Sequence, residues 1–321
     1  MKMRMIARFA AAFLVLVAPA AAQDYPAREI RSLCNYSAGS GADLIVRFYS
    51  DRLSKLAGKP VIVENRVGAN GTIASDALAK SRPDGYTILI TPVTATIISA
   101  PYMFKNLPFD SEKDFAAVTT IASLSFVILV DAAGPVKSIN ELVAYLKAKP
   151  GPSFYGATSN TGVIAAELFK TSAGLKTTYV PYRQNVQALT DLLLGQLDFL
   201  AFDATWGLGQ AKGGKLRILA ATAAKRSVAL PDVPTLAEAG YGGNDVSPWW
   251  GVVVAAGTPK PIVDTLAAWF NQITAAEDTK QFLATSAFDP FPGTPEQMQA
   301  LMKSDAERWK RYVELAKIEP Q

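Results

Sequence analysis

Phe115-Ala116-Ala117-Val118-Thr119-Thr120-Ile121-Ala122-Ser123-Leu124-Ser125-Phe126-Val127-Ile128-Leu129-Val130 is an uninterrupted run of apolar, β-branched and small residues, without proline or charge. A strand inside a globular domain usually ends after about five or six residues. A run this long predicts a strand that leaves one domain and enters another. The chain on either side of it then reads as two separate units.

Upstream, short strands alternate with helices. Glu29 to Cys34 reads as a strand, and Leu44, Phe48, Asp51 and Lys55 recur at helical spacing over Leu44 to Leu56. Gly58 follows as a helix stop. Pro60 to Glu64 is a β-branched strand, followed by a loop from Asn65 to Gly71 and a helix with Ile73, Ala77 and Leu78 on one face. Pro83-Asp84-Gly85-Tyr86 marks a turn before the strand Thr87 to Thr91. This βαβαβ order predicts a parallel sheet covered by helices on both faces.

Downstream the alternation restarts. Helices are expected over Asn140 to Lys147, Val163 to Ser172 and Val186 to Leu194, with strands at Phe154 to Gly156, Thr177 to Pro181 and Phe199 to Phe202. Ser247 to Ala255, with Trp249 and Trp250, is a second extended stretch that would cross back. Helix resumes at Pro259, and the amphipathic segment Glu296 to Leu315 closes the chain. The expected fold is α/β and two-lobed, each lobe a sheet flanked by helices, with two crossing strands between them. Residues 23–122 and 250–321 would form lobe 1, and residues 123–249 lobe 2.

Two loops stand at strand-to-helix junctions, where ligands of open α/β sheets sit. Asn35-Tyr36-Ser37-Ala38-Gly39-Ser40-Gly41-Ala42 leads into a helix near Asp43, and Ala157-Thr158-Ser159-Asn160-Thr161-Gly162 leads into the helix around Glu167. A helix N-terminus leaves backbone N–H groups unpaired and carries partial positive charge, so each loop is a potential anion cradle. If the fold brings them together, they would hold one small anion from opposite sides.

The first 22 residues stand apart from this scheme. Lys2, Arg4 and Arg8 precede an apolar core from Phe9 to Val17, and Ala20-Ala21-Ala22 supplies small residues for cleavage near Ala22-Gln23. The apolar core is too short to span a bilayer, which takes about 20 residues. The expectation is a cleavable export signal, and a mature protein in the periplasm. No cysteine at the junction indicates a lipid anchor. Without the signal's three basic residues the chain carries 29 basic and 28 acidic residues, with no basic cluster of the kind nucleic acid requires.

One cysteine, Cys34, cannot form an intramolecular disulfide, and its place at a strand end marks a buried, inert thiol. The chain contains no histidine. That removes Ser-His-Asp and Cys-His nucleophiles, ordinary catalytic zinc and the usual neutral-pH general base. Gly39-Ser40-Gly41 lacks the third glycine of a dinucleotide fingerprint and the lysine of a P-loop. An enzyme would have to rely on Asp203 or Glu64 with Lys or Arg. No enzymatic activity, cofactor or metal is expected.

Several short runs occur together and in order: Val63-Glu64-Asn65-Arg66 with Gly68-Ala69, Pro83-Asp84-Gly85-Tyr86-Thr87, Val180-Pro181-Tyr182, Gly213-Gly214-Lys215-Leu216-Arg217, and Leu230-Pro231-Asp232-Val233-Pro234-Thr235 with Glu238-Ala239-Gly240. With them the chain resembles the solute-binding receptors of tripartite tricarboxylate transporters, the Bug family, over essentially its whole mature length. The resemblance implies a periplasmic binding protein of type II-like architecture that closes about a hinge on a small organic acid. It also implies a monomer that delivers the acid to membrane permease subunits. Delivery to a sensor kinase is the alternative.

The resemblance carries a site as well. Its first loop is Asn35 to Asp43, with Tyr36, Ser37, Gly39, Ser40, Gly41, Ala42 and Asp43 as candidates. Its second is Ser159, Asn160, Thr161 and Gly162. Thr91 and Thr94 belong to a further segment, and Asp203 matches an aspartate at a strand end, either to orient a bridging water or to serve as a buried, hydrogen-bonded structural acid. Tyr182, Trp206 and Trp249 are candidates to wall the pocket, or else ordinary packing. Asp43 would repel an anion, so capping its helix is the stronger reading. The sequence departs from the family pattern where prolines are usual at Asn35 and Ser37, glycine at Ser40, Thr or Ser at Ala42, and histidine at Val163. These departures imply a ligand different from the family's commonest ones, or one held mainly by backbone; the tryptophans and missing histidines point to a partly apolar carboxylate.

Overall fold

The computed structural model describes residues 25–243, 245–316 and 320. The expected export signal and its cleavage point lie outside them. In chain order the elements are β1 (Ile30–Cys34), α1 (Gly41–Ala57), β2 (Val61–Asn65), α2 (Thr72–Ala79), β3 (Thr87–Thr91), α3 (Ala100–Met103), β4 (Phe115–Leu124) and β5 (Phe126–Asp131). They continue with α4 (Ile139–Ala148), β6 (Ser153–Ala157), α5 (Asn160–Ala173), β7 (Thr177–Pro181), α6 (Asn185–Leu193), β8 (Phe199–Asp203), α7 (Ala204–Lys212) and β9 (Leu216–Ala221). Last come β10 (Trp249–Ala255), α8 (Lys260–Ala275), α9 (Glu277–Thr285), β11 (Phe288–Pro290) and α10 (Pro295–Ala316).

The strands form two mixed sheets, ordered β11-β4-β10-β3-β1-β2 and β7-β6-β8-β5-β9. In the first, β1 runs parallel to β2 and β3, while β10 lies antiparallel between β3 and β4. In the second, β6 is parallel to β7 and β8, and β5 is antiparallel to β8 and β9. Apolar residues of α1, α8 and α9 pack on one face of the first sheet, and those of α2, α3 and α10 on the other. Buried residues of α4 and α5 cover one face of the second sheet, and those of α6 the other.

The long apolar run behaves as its length demands: β4 belongs to the first sheet, β5 to the second, and Ser125 alone separates them. The return is different from a simple strand. Its extended end, Trp249–Ala255, lies wholly in the first sheet, so the crossing itself falls within 222–248, whose described residues form no helix or strand. Outgoing and returning chains are tied side by side. Phe126 N donates to Thr222 Oγ1 (3.1 Å), Thr222 Oγ1 donates to the Val246 carbonyl (2.7 Å), and Leu124 N donates to the Pro248 carbonyl (2.9 Å).

Two helix faces differ from the sequence reading. α1 buries Ile45, Val46, Tyr49 and Leu53 and leaves Leu44 about half exposed. α2 buries Ala74, Ser75 and Leu78 and leaves Ile73 similarly exposed. The 44-48-51-55 spacing is helical, but the four-residue stripe beginning one residue later meets the sheet. Cys34 is fully buried, and burial raises its thiol pKa. Among the described residues no helix is long and apolar enough to cross a membrane.

Candidate functional site

The carboxyl ends of β1 and β3 in one sheet, and of β6 in the other, open on a shared cavity of about 640 Å³. From the first-sheet unit come Asn35 and Tyr36, the loop Val67 to Gly71, and Ala95, Thr96, Ser99, Met103 and Phe104; from the second come Thr158, Ser159, Asn160 and Thr161. Trp309 of α10 completes the wall. None of these lining side chains is charged. The cavity offers hydroxyls, amides and backbone, together with an apolar side.

The second-sheet wall is the start of α5. Ser159 caps the helix, its Oγ accepting from Gly162 N at 3.2 Å, and the first intrahelical bond runs from Val163 N to the Ser159 carbonyl at 3.0 Å. The N–H groups of Asn160 and Thr161 precede that bond and are left for a ligand or water. Gly162 allows the close approach that sets this geometry: a Cβ there would lie 2.5 Å from the Ala201 carbonyl oxygen of β8. Asn160 Nδ2 reaches across the cavity mouth to Met103 Sδ at 3.1 Å, so the two units already touch.

The first-sheet wall is a strained loop. Gly68, Ala69, Asn70 and Gly71 all have positive φ, an arrangement that costs the two non-glycine residues roughly 1 kcal/mol or more each. Gly71 (φ +92°) cannot be replaced freely, because a Cβ would meet Thr96 Cγ2 at 2.6 Å. Thr94 to Ile98 form a single π-helical turn, the kind of irregularity found at sites, and present Ala95 and Thr96 to the cavity.

A family model for the tripartite tricarboxylate transporter family receptor, TctC, matches residues 45–318. The chain belongs to this receptor family. A UPF0065 protein of Bordetella bronchiseptica is 36% identical over 313 residues, covering 96% of this chain and 91% of that protein. Among solved structures, an R. palustris protein with adipate has a TM-score of 0.75 at 30% identity, covering 93% of this chain and 100% of that one. MatC from Rhodopseudomonas palustris with bound malate has a TM-score of 0.68 at 25% identity, covering 90% and 100%. The two sheets flanked by helices are thus the architecture of periplasmic binding proteins.

Within this TctC receptor the sequence-predicted residues divide into groups. Tyr36, Ser159, Asn160 and Thr161 line the cavity together. Thr161 also lines a second cavity of about 440 Å³, and Thr94 and Trp249 stand there instead of in the first. Trp249 is 2% exposed, and its Nε1 donates to Asp305 Oδ2 at 2.7 Å, so it serves as core with a fixed polar tip. Asp305 also pairs with Arg308 of the same helix.

Ser37, Gly39, Ser40, Gly41 and Ala42 line neither cavity. Ser40 caps α1 through Asp43 N (3.2 Å), which begins that helix three residues earlier than apolar spacing alone indicates. Asp43 is fully buried and accepts from Gly39 N, Arg47 Nε and Asn65 Nδ2 at 2.7–2.8 Å. Burial pushes its carboxyl up, but these donors outweigh burial and hold it down at about 2. It pins the loop, as its charge required.

Thr91 lies beneath the cavity floor, bonded to Asn35 at 3.0 Å. Gly162 sits behind the α5 turn. Tyr182 Oη donates to Asp191 at 2.6 Å, and burial first, then Asp191, raises its pKa to about 12. Asp203 caps α7 by accepting from Trp206 N at 2.9 Å, and burial raises its pKa. Trp206 packs edge-on against Phe202. Of the charged candidates, Glu64 is held by Arg31 and Arg66. Val67 to Gly71, Ala95, Thr96, Ser99, Met103, Phe104 and Trp309 line the cavity without having been legible in the sequence as site residues.

Proposed function

We propose that this receptor works outside the cytoplasm, captures a small organic carboxylate between two lobes, and presents it to the permease of a tripartite tricarboxylate transporter. The expected lobe boundaries at 122/123 and 249/250 shift slightly: Ser123, Leu124 and Trp249 pair within the first sheet, so the first lobe runs to Leu124 and resumes at Trp249, and the second is built on residues 126–221. The observation that carries the reading is the shared cavity: no charged wall residue, abundant hydroxyl and amide donors, and the start of α5 aimed into it. A carboxylate suits such donors, which pair both oxygens without requiring a buried countercharge. The adipate and malate in related structures support that class. Met103, Phe104 and Trp309 would cover the carbon chain.

Closure would turn on the paired crossings at Ser125 and 222–248, with the ligand favouring the closed form through contacts that only that form makes. A thermal-shift screen of the mature chain tests the proposal. At 100 times Kd, an acid is expected to add about 2.7 kcal/mol and to raise Tm by several degrees. Flat melts across mono-, di- and tricarboxylates, together with a clear shift from a neutral sugar, would sink it.

A further inference from the structure

Asp289 stands in the edge strand β11 of the first sheet, and its carboxylate reaches the chain that leaves the second. Its Oδ1 accepts from Ser227 Oγ at 3.0 Å and from Val228 N at 2.7 Å. Ser227 is buried, and Leu230 N donates to its carbonyl at 3.1 Å to close a turn. Leu230 and Val233 pack with β5, β8 and β9, so this turn moves with the second sheet. Two further features join the same corner. Ser286, just ahead of β11, accepts from Thr205 Oγ1 of α7. Ala287 holds a positive φ of 57° and is buried in the second sheet's cluster.

Strand order fixes where this corner lies relative to the cleft. β4 separates β11 from β10, β3 and β1, and β5 separates β9 from β8 and β6. The cavity lies on the β1, β3 and β6 side of the crossing at Ser125; Asp289 and the turn after β9 lie on the other. A rotation about Ser125 that draws the cleft walls together therefore draws β11 and β9 apart. At about 4.8 Å per strand, β1 is about 14 Å from β4 and β11 about 5 Å. A closing turn of about 10° would move the first by about 2.5 Å and the second by about 0.8 Å, which stretches the Asp289 bonds to the edge of hydrogen-bonding range.

We propose that Asp289 is a latch on the far side of the hinge that opposes closure and so lowers acid affinity from outside the cleft, an inference that rests on the closure read above. Asp289 does not line the shared cavity. The contacts made on closing must outweigh its bonds to Ser227 and Val228, and apparent affinity falls with the fraction of protein able to close.

Asp289→Ala removes both bonds. Small-angle scattering of the unliganded mature protein is expected to give a smaller radius of gyration than the wild type. Calorimetric titration with acetate, succinate, adipate and citrate is expected to show roughly tenfold tighter binding of those the wild type binds, although the Tm falls. Tighter binding by a less stable protein is an outcome that a merely structural carboxylate would not give. Asp289→Asn keeps an acceptor of the same shape without the charge, and should move both readouts the same way by less. Equal or weaker affinity in both variants, or an unliganded radius of gyration that does not fall, would overturn the latch and leave the carboxylate reading standing. If no acid binds the wild type, that reading fails and the radius of gyration alone decides the latch.

Discussion

At the scale of single residues, Ser159 both caps α5 and lines the cavity, whereas Ser40 caps α1 and lines neither cavity. Ser159 Oγ closes the first turn of α5, so Ser159→Ala is expected to cost about 1 kcal/mol of stability as well as affinity. Thr161 is not the cap and lines the cavity. Thr161→Ala should therefore weaken acid binding several-fold, by loss of a hydrogen bond, with the unliganded Tm almost unchanged. Titration and melting of both variants separate the roles, and equal losses of affinity and stability in Thr161→Ala would contradict the assignment.

Asp43 makes a pH prediction. Its folded pKa of about 2 lies below the ordinary 3.8, so its contribution is complete above about pH 4 and is lost as pH falls toward 2. The amount is on the order of 2 kcal/mol. The stability gap between wild type and Asp43→Asn should shrink over that window in urea titrations; a constant gap would refute it. That a charge facing an anionic ligand is self-defeating made a structural role for Asp43 legible in sequence, although the cap there is Ser40 and Asp43 instead holds the loop from the third helical residue. The cavity's other wall was not, because Trp309 and Thr96 reach it only through tertiary packing that brings distant segments together.

At the scale of elements, apolar periodicity located most helices and strands but not α3, α7, β9 or β11, nor the break between α8 and α9, and capping decided where helices begin. α1 starts at Gly41 and α5 at Asn160, each three residues ahead of the first apolar position that marked it, because Ser40 and Ser159 supply side-chain caps. The phase of burial was less legible. Whether Leu44 or Ile45 faces the sheet depends on how α8 and α9 flank α1, which the local pattern does not contain. The docking of α5 rests on Gly162. Gly162→Ala would force its Cβ onto the Ala201 carbonyl, lift the helix start and cost roughly 1–3 kcal/mol. Its urea midpoint should fall and acid affinity should fall further than in Thr161→Ala. Unchanged values in both would mean the close approach is dispensable.

At the scale of the molecule, the proposed closure would turn on the junction of the two sheets beside Ser125. The crossings are hydrogen-bonded to one another at Phe126–Thr222 and Leu124–Pro248, which favours rotation about the pair over separation. The radius of gyration from small-angle scattering is expected to fall when the acid saturates the protein. An unchanged value at saturation would count against closure. The two-unit layout was legible in the run Phe115 to Val130, since no single domain needs so long a strand. The irregular return was not, because loop segments carry no periodicity to read.

The order of the first sheet also governs how the chain can be born. β10 is the only described strand linking β4 to β3, and β4 otherwise touches just the edge strand β11. The second sheet, by contrast, is built from the continuous stretch 126–221. As the chain emerges during synthesis or transport, that stretch can pair within itself while β4 waits for partners more than 120 residues further on. The half of the protein that begins first is thus finished last, and its apolar strand stays uncovered throughout the interval.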